Sequence, residues 1–329
     1  MNAARLHAVV NPASANGRTR KEWPRLLRLM EARLGDVSWD MTAGPGHATE
    51  LAEKALQSGC TLVLSVGGDG THQEVANAFL GPQGPRYPQA AMGILSRGTG
   101  GDLARSLGIP REPGKAIASL AEGRLASIDA GWIQYRDPAG MGRQRAFLNV
   151  ASLGIGGEVD LRVNQTSKAM GGFVSFLFAT MVTLLAYKGK QVRLSLDGGL
   201  WIEQSVILIA VANGQYFGGG MWVAPTARVD DGAFSVVLVK DMRLLELLPQ
   251  LGKIYRGTHL AHPKVEVFEA GSVAAESRDE VWLDVDGEPL GTLPVKLHIL
   301  PGALKVLVGP GFRSPVSPSS SHSRGTVVE

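Results

Sequence analysis

Three short polar turns carry most of the chemistry open to this chain. Residues 63–71 read Val-Leu-Ser-Val-Gly-Gly-Asp-Gly-Thr, an apolar strand that enters a glycine turn and leaves as a helix near Thr71. Gly67, Gly68 and Gly70 leave the backbone bare, so N–H groups there can approach phosphate oxygens, and the helix N-terminus adds favourable partial charge. Asp69 is a hard carboxylate placed where the Mg2+ of a nucleotide would sit. A second turn, Asn11-Pro12-Ala13-Ser14-Ala15-Asn16-Gly17-Arg18, follows the first strand. A third, Ser96-Arg97-Gly98-Thr99-Gly100-Gly101-Asp102, follows the fourth. Each alone is common turn chemistry. Three on the carboxyl edge of one sheet make a phosphate site, its donors being backbone amides, Ser14, Thr42 and Thr99. Neither GxxxxGK[ST] nor GxGxxG occurs, which excludes a P-loop and a standard dinucleotide fold.

Strand and helix patterns alternate through the first ~125 residues and position these turns. Strands are predicted at 7–10, 37–42, 61–66 and 91–95, with helices at 21–34, 47–58 and after each of the last two turns. Such alternation implies a parallel, doubly wound sheet, which binds ligands beyond the carboxyl ends of its strands. From about Ser127 the rhythm changes to strands at 128–135, 145–152, 191–196, 205–212, 233–239, 264–268, 281–285 and 294–299. One clear helix, 244–255, interrupts them. The expected architecture is an α/β N-terminal domain (1–127) and an all-β, sandwich-like C-terminal domain (128–310), with the site in the cleft between them. The segment 311–329, rich in Ser and Pro, is expected to be a disordered tail.

Composition narrows the function classes. The chain has 329 residues, 44% of them hydrophobic, enough for two cores. A formal charge of only +3 without a basic patch argues against a nucleic-acid partner. One cysteine, Cys60, rules out an internal disulfide and a cysteine zinc site, and fits a cytoplasmic location. The His259/His262 pair lies in a polar stretch and is expected at the surface. The N-terminus lacks the apolar core of a signal peptide. The uncharged run 169–187 just reaches spanning length, but its glycines, Ser175, Thr180 and Thr183 favour a buried helix or one lining an apolar cleft.

The three turns, with Ala-Pro-Thr-Ala-Arg-Val-Asp-Asp-Gly-Ala from Ala224, Arg-Gly-Thr-His from Arg256 and Leu-Asp-Val-Asp-Gly-Glu from Leu283, resemble the diacylglycerol kinase/sphingosine kinase family of lipid kinases. The ordered set is specific; Gly-Gly-Asp-Gly-Thr alone also occurs in NAD kinases and phosphofructokinases. The resemblance implies a fold like theirs, with Asn11, Pro12, Ala13, Ser14, Ala15, Thr42, Gly67, Gly68, Asp69, Gly70, Thr71, His72, Gln73 and Thr99 lining an ATP site. It implies that Glu288 is the general base. It also makes residues 228–233 a structural Mg2+ loop, with Asp231 giving a carboxylate and Arg228 and Ala233 backbone carbonyls. Two positions depart from the family: Gly101 stands where an Asn precedes the Asp, and Ala15 where a Gly follows the Ser.

Phosphoryl transfer needs alignment, Mg2+ and charge stabilisation more than covalent help. Asp69 and Asp102 are expected to hold the catalytic Mg2+, directly or through water. A carboxylate near a lipid hydroxyl can take its proton as the O–P bond forms. Glu288 is the candidate, with Asp286 orienting it or replacing it. Phe173, Phe176 and Phe178 are candidates to wall an acyl-chain cleft, with Lys168 at its start. The expected partner is a lipid, diacylglycerol or a sphingoid base, met at a membrane surface by transient peripheral contact. A homodimer is left open. Two other readings make different predictions. A NAD kinase-like enzyme would work without lipid, and a non-catalytic nucleotide or lipid-binding protein would bind ATP without turnover.

Overall fold

The computed structural model describes residues 5–159, 183 and 187–313. β1 (Leu6–Val10), β2 (Ser38–Met41) and β3 (Leu62–Gly67) are followed by a small ladder of β4 (Leu80–Gly81) and β5 (Gly84–Pro85), then β6 (Ala91–Ser96). The order β2-β1-β3-β6 is parallel throughout. β3 reads as an unbroken apolar run because both of its faces are covered. The helices of this part are α1 (Arg18–Leu34), α2 (His47–Gln57), α3 (Asp69–Phe79), α4 (Asp102–Ser106) and α5 (Pro113–Glu122), of which α2 and α3 pack on β3 and α5 on β6. α1 buries Trp23, Leu26 and Met30, the three- and four-residue spacing of a helix with one apolar face.

The antiparallel part comprises β7 (Leu125–Arg136), β8 (Gly142–Phe147), β9 (Val150–Gly154), β10 (Lys190–Leu196), β11 (Ile202–Ala212) and β12 (Phe234–Lys240). After it come α6 (Leu244–Ile254), β13 (Val265–Ala270), β14 (Ser272–Glu276), β15 (Trp282–Val285) and β16 (Glu288–Leu307). Its own core includes Ile133, Leu153, Val211 and Leu283, with Phe147 stacked on Phe234 at 5.7 Å between centroids. β16, 20 residues long, joins the two parts. Near its start it pairs with β15 and β14, along its length with β7, and at its end Val306 pairs in parallel with Met92 of β6. The result is one continuous 14-stranded sheet.

The two-part architecture follows the sequence, but four details differ. The boundary expected at 127/128 falls inside β7. Leu300, Leu304, Val306 and Phe312 pack into the first core, not the second. Phe312 is buried, and Arg124 Nη1 donates to its carbonyl at 3.1 Å, so residues 311–313 are no tail. The strand expected at 145–152 is cut into β8 and β9, since the N–H groups between them turn inward to Asp286. Residues 314–329, and the apolar run with Lys168, Phe173, Phe176 and Phe178, lie outside the described residues, apart from Thr183 and Tyr187. No helix among the described residues is long and apolar enough to cross a membrane.

Candidate active site

The three glycine turns meet at one edge of the parallel sheet. Asn11 Nδ2 donates to Thr71 Oγ1 at 2.9 Å, and the Asn11 N–H donates to the Val66 carbonyl at 2.8 Å. Ser14 Oγ is spent within its own turn, on the Asn11 carbonyl and on Thr19 Oγ1 at 2.6 Å. Pro12 is buried beneath that turn while Ala13 and half-exposed Ala15 face outward. Thr42 is half-exposed at the end of β2, its N–H on the Val10 carbonyl at 2.8 Å. Thr99 is exposed, and its carbonyl accepts from Arg111 at 3.0 Å. The 67–71 and 96–102 turns touch backbone to backbone: a Cβ on Gly98 would lie 2.7 Å from Gly68 Cα. Only glycine allows that approach.

Two carboxylates face each other behind these turns. Asp69 accepts from the N–H groups of Gly101 at 2.7 Å and Leu103 at 3.2 Å, which caps the start of α4. Asp102 is buried and bonds Arg105 at 2.6 Å and the Gly219 N–H at 2.8 Å, tying the first domain to a loop of the second. A Cβ on Gly100 would lie 2.7 Å from Asp69 Oδ2 and 3.7 Å from Asp102 Oδ2, so the two carboxylates converge on one point. Burial, and then the charge of Asp69, hold the Asp102 carboxyl above its usual range. Two converging carboxylates, one of them costly to ionise alone, suit a hard divalent cation completed by phosphate oxygens and water. Among the described residues, no three His, Cys, Asp or Glu side chains group around a metal position. Gly101 is left-handed at φ 69°, ψ 36°, a conformation glycine takes freely and asparagine tolerates, so the departure from the family pattern keeps the turn.

The turn between β15 and β16 lowers Glu288 onto the first domain. Its Oε1 lies 3.7 Å from where a Gly70 Cβ would sit, and its side chain is 40% exposed. Asp286 does something else. It is half-buried and accepts three backbone N–H bonds, from Leu148 at 2.8 Å, Asn149 at 2.9 Å and Val150 at 3.0 Å. Burial pushes its carboxyl up to about 6, against the pull of those three donors. Both Asp286 oxygens are engaged by backbone donors, which favours a structural role over that of an alternative base. Asp286 is a strap that fixes the β8–β9 break.

His72 and Gln73 also point away from the mouth of the site. His72 is fully buried, bonded to Ser65 at 2.7 Å, and burial lowers it to about 4. Gln73 is buried and donates to the Ala146 carbonyl at 3.1 Å. Neither side chain reaches a nucleotide, because α3 turns that face inward. The loop 228–233 stands on Asp129, which accepts from Gly232 and Gly302, each at 2.7 Å. Within it Arg228 pairs with Asp230 at 3.2 Å, and Asp231 accepts from the Ala233 N–H at 3.2 Å. This closed turn is built apart from the three glycine turns.

Comparison with known proteins agrees with this layout. Residues 5–133 match the diacylglycerol kinase catalytic domain, and residues 149–308 match the YegS C-terminal NAD kinase beta sandwich-like domain. A diacylglycerol kinase of Staphylococcus carnosus is 30% identical over 300 residues, covering 90% of this chain and 94% of that protein. The chain belongs to the diacylglycerol kinase family. A second member, from Staphylococcus saprophyticus, is 28% identical over 301 residues, 90% of this chain and 94% of the relative. A crystal structure of a diacylglycerol kinase from Bacillus anthracis shares the fold, with a TM-score of 0.70 at 21% identity over 94% of this chain and 98% of that one.

This member of the diacylglycerol kinase family also has an apolar cavity, lined mainly by residues the sequence did not single out. Ile155, Ile207, Leu208, Met221, Leu251 and Ile254, among others, line a cavity of about 130 Å³ in the second domain. Gly287, next to Glu288, also lines it. His259, expected at the surface, is buried in its wall and bonds the Val223 carbonyl at 3.0 Å. The lining residues come from β11, β12, α6 and the 155–159 helical turn. Their convergence is long-range, so no local pattern marks them.

Proposed function

We propose that the protein transfers the γ-phosphoryl group of ATP to a hydroxyl of a membrane lipid, diacylglycerol ahead of a sphingoid base. One observation carries the proposal: Glu288 overhangs the Gly-Gly-Asp-Gly turn while its neighbour Gly287 opens onto an apolar cavity. In this reading, acyl chains enter the cavity and leave the lipid hydroxyl at its mouth. The backbone of 67–71 and the Asn11–Ala15 turn hold the phosphates, helped by the N-terminus of α3. Glu288 takes the hydroxyl proton, the lipid oxygen bonds the γ-phosphorus, and ADP leaves with the electron pair of the broken P–O bond. Asp69 and Asp102 would hold Mg2+, which neutralises charge on the phosphates. Asp231 with the Arg228 and Ala233 carbonyls would hold a second, structural Mg2+. The apolar cavity favours a lipid over a soluble alcohol such as NAD.

The test is label transfer from γ-labelled ATP with Mg2+ to diacylglycerol, sphingosine and ceramide in mixed micelles, and to NAD in solution. Labelled diacylglycerol from the wild type, and none from Asp69→Ala or Glu288→Gln, is the expected result. Transfer to NAD without lipid would overturn the proposal.

A further inference from the structure

Arg145, on β8, stands between the nucleotide turn and the candidate base. Its side chain is 19% exposed. Nη1 donates to Glu288 Oε2 at 2.7 Å, and Nη2 donates to the side-chain oxygen of Gln73. The Gln73 amide cannot be turned over, because its Nε2 is committed to the Ala146 carbonyl. Asn77, one helical turn later on the same face of α3, exchanges a second pair of bonds with Ala146. Its Nδ2 donates to the carbonyl at 3.2 Å and its Oδ1 accepts from the N–H at 2.8 Å. α3 begins at Asp69, so the helix that carries the phosphate turn also clamps the strand that carries Arg145.

We propose that Arg145 is a positioning residue for phosphoryl transfer: anchored by Gln73, it holds Glu288 Oε2 and so leaves Oε1 facing the lipid hydroxyl above Gly70. The proposal rests on Glu288 being the base. A guanidinium is a rigid planar fork, and when both of its arms are bonded its plane is set. Glu288 lies in a hairpin turn and is substantially exposed, so without this contact its carboxylate would sample several rotamers. The other groups near Glu288 are Tyr135 on β7, with Arg143 and Asp137 beside it, and half-buried Asp286 two residues upstream. Arg145 is the charged group bonded to it.

The experiment measures kcat and both KM values with diacylglycerol micelles for Arg145→Met, Arg145→Lys, Gln73→Leu, Glu288→Gln and the Arg145→Met/Glu288→Gln pair. Arg145→Met is expected to lower kcat by roughly 10- to 100-fold with KM for ATP nearly unchanged. Arg145→Lys should recover part of the rate. Gln73→Leu, which keeps the ion pair but frees it, should fall between wild type and Arg145→Met. The double variant should be no slower than Glu288→Gln alone. An unchanged kcat in Arg145→Met, or full additivity in the double variant, would overturn the inference. If Arg145→Met fails to fold, wild-type kcat in Gln73→Leu and Arg145→Lys together would do so. Wild-type kcat in Glu288→Gln would instead sink the reading of the base.

Discussion

Asp286 and Glu288 are two residues apart and chemically alike, yet their variants should fail in opposite ways. The Leu148, Asn149 and Val150 N–H groups that Asp286 accepts belong to residues exposed by 4% or less. Asp286→Asn can keep the two bonds that share Oδ1, but its NH2 group then meets the Leu148 N–H, a donor against a donor. One charge-assisted bond is lost and one buried N–H is stranded, which costs about 2–4 kcal/mol, part of it offset by relief of the buried charge. Asp286→Ala strands all three and should cost about 3–6 kcal/mol. Urea unfolding reads both. The midpoint for the Asn variant should drop by about 1–2 M at a slope of about 2 kcal/mol per M. At temperatures where it stays folded, activity per folded molecule should stay within a few-fold of wild type. Glu288→Gln should keep the midpoint and lose the rate. An Asp286→Asn protein with the wild-type midpoint and a collapsed kcat would refute the strap and return Asp286 to the chemistry.

Other expectations follow from the same geometry. Burial lowers His72 to about 4 from an ordinary 6.5, so the unfolded chain takes the proton first and stability is lost as pH falls through that window. Between pH 7 and pH 5 the loss should be about 2 kcal/mol, and urea midpoints should show the slope vanish in His72→Gln. Gly98→Ala forces a Cβ to 2.7 Å from Gly68 Cα, where backbone cannot yield. Displacing the phosphate turn should cut kcat on the order of 100-fold while circular dichroism stays native. Leu208→Trp fills the apolar cavity; lipid phosphorylation should fall at least about tenfold while ATP binding, read by calorimetry, is unchanged.

Local chemistry was legible in the sequence wherever one residue type had one physical reason to be there. Gly67, Gly68, Gly98 and Gly100 announce turns that approach phosphate or one another, and the apolar run of β3 announces a strand covered on both faces. The cross-domain pairs were not legible. Nothing near Arg145 in sequence points to Gln73, 72 residues earlier, or Glu288, 143 later. Asp286 looked like a second base because its three N–H partners lie more than 130 residues away. The family resemblance placed His72 and Gln73 with the nucleotide, whereas helical rotation sends their side chains to the core. The apolar cavity is a meeting of separate elements, and only the closed fold shows it.

The last feature concerns synthesis rather than catalysis. β16 begins at Glu288 and ends beside β6, and the first core needs Leu300, Leu304, Val306 and Phe312. A nascent chain that has just released residues 1–127 therefore holds an incomplete sheet, with the edge of β6 bare and apolar side chains uncovered. That core can close only after residues as far as Phe312 have left the ribosome, across sequence separations of about 200 residues. A fragment ending near residue 127 should stay sticky and unfolded, and during translation the waiting edge is the surface a chaperone would have to shield.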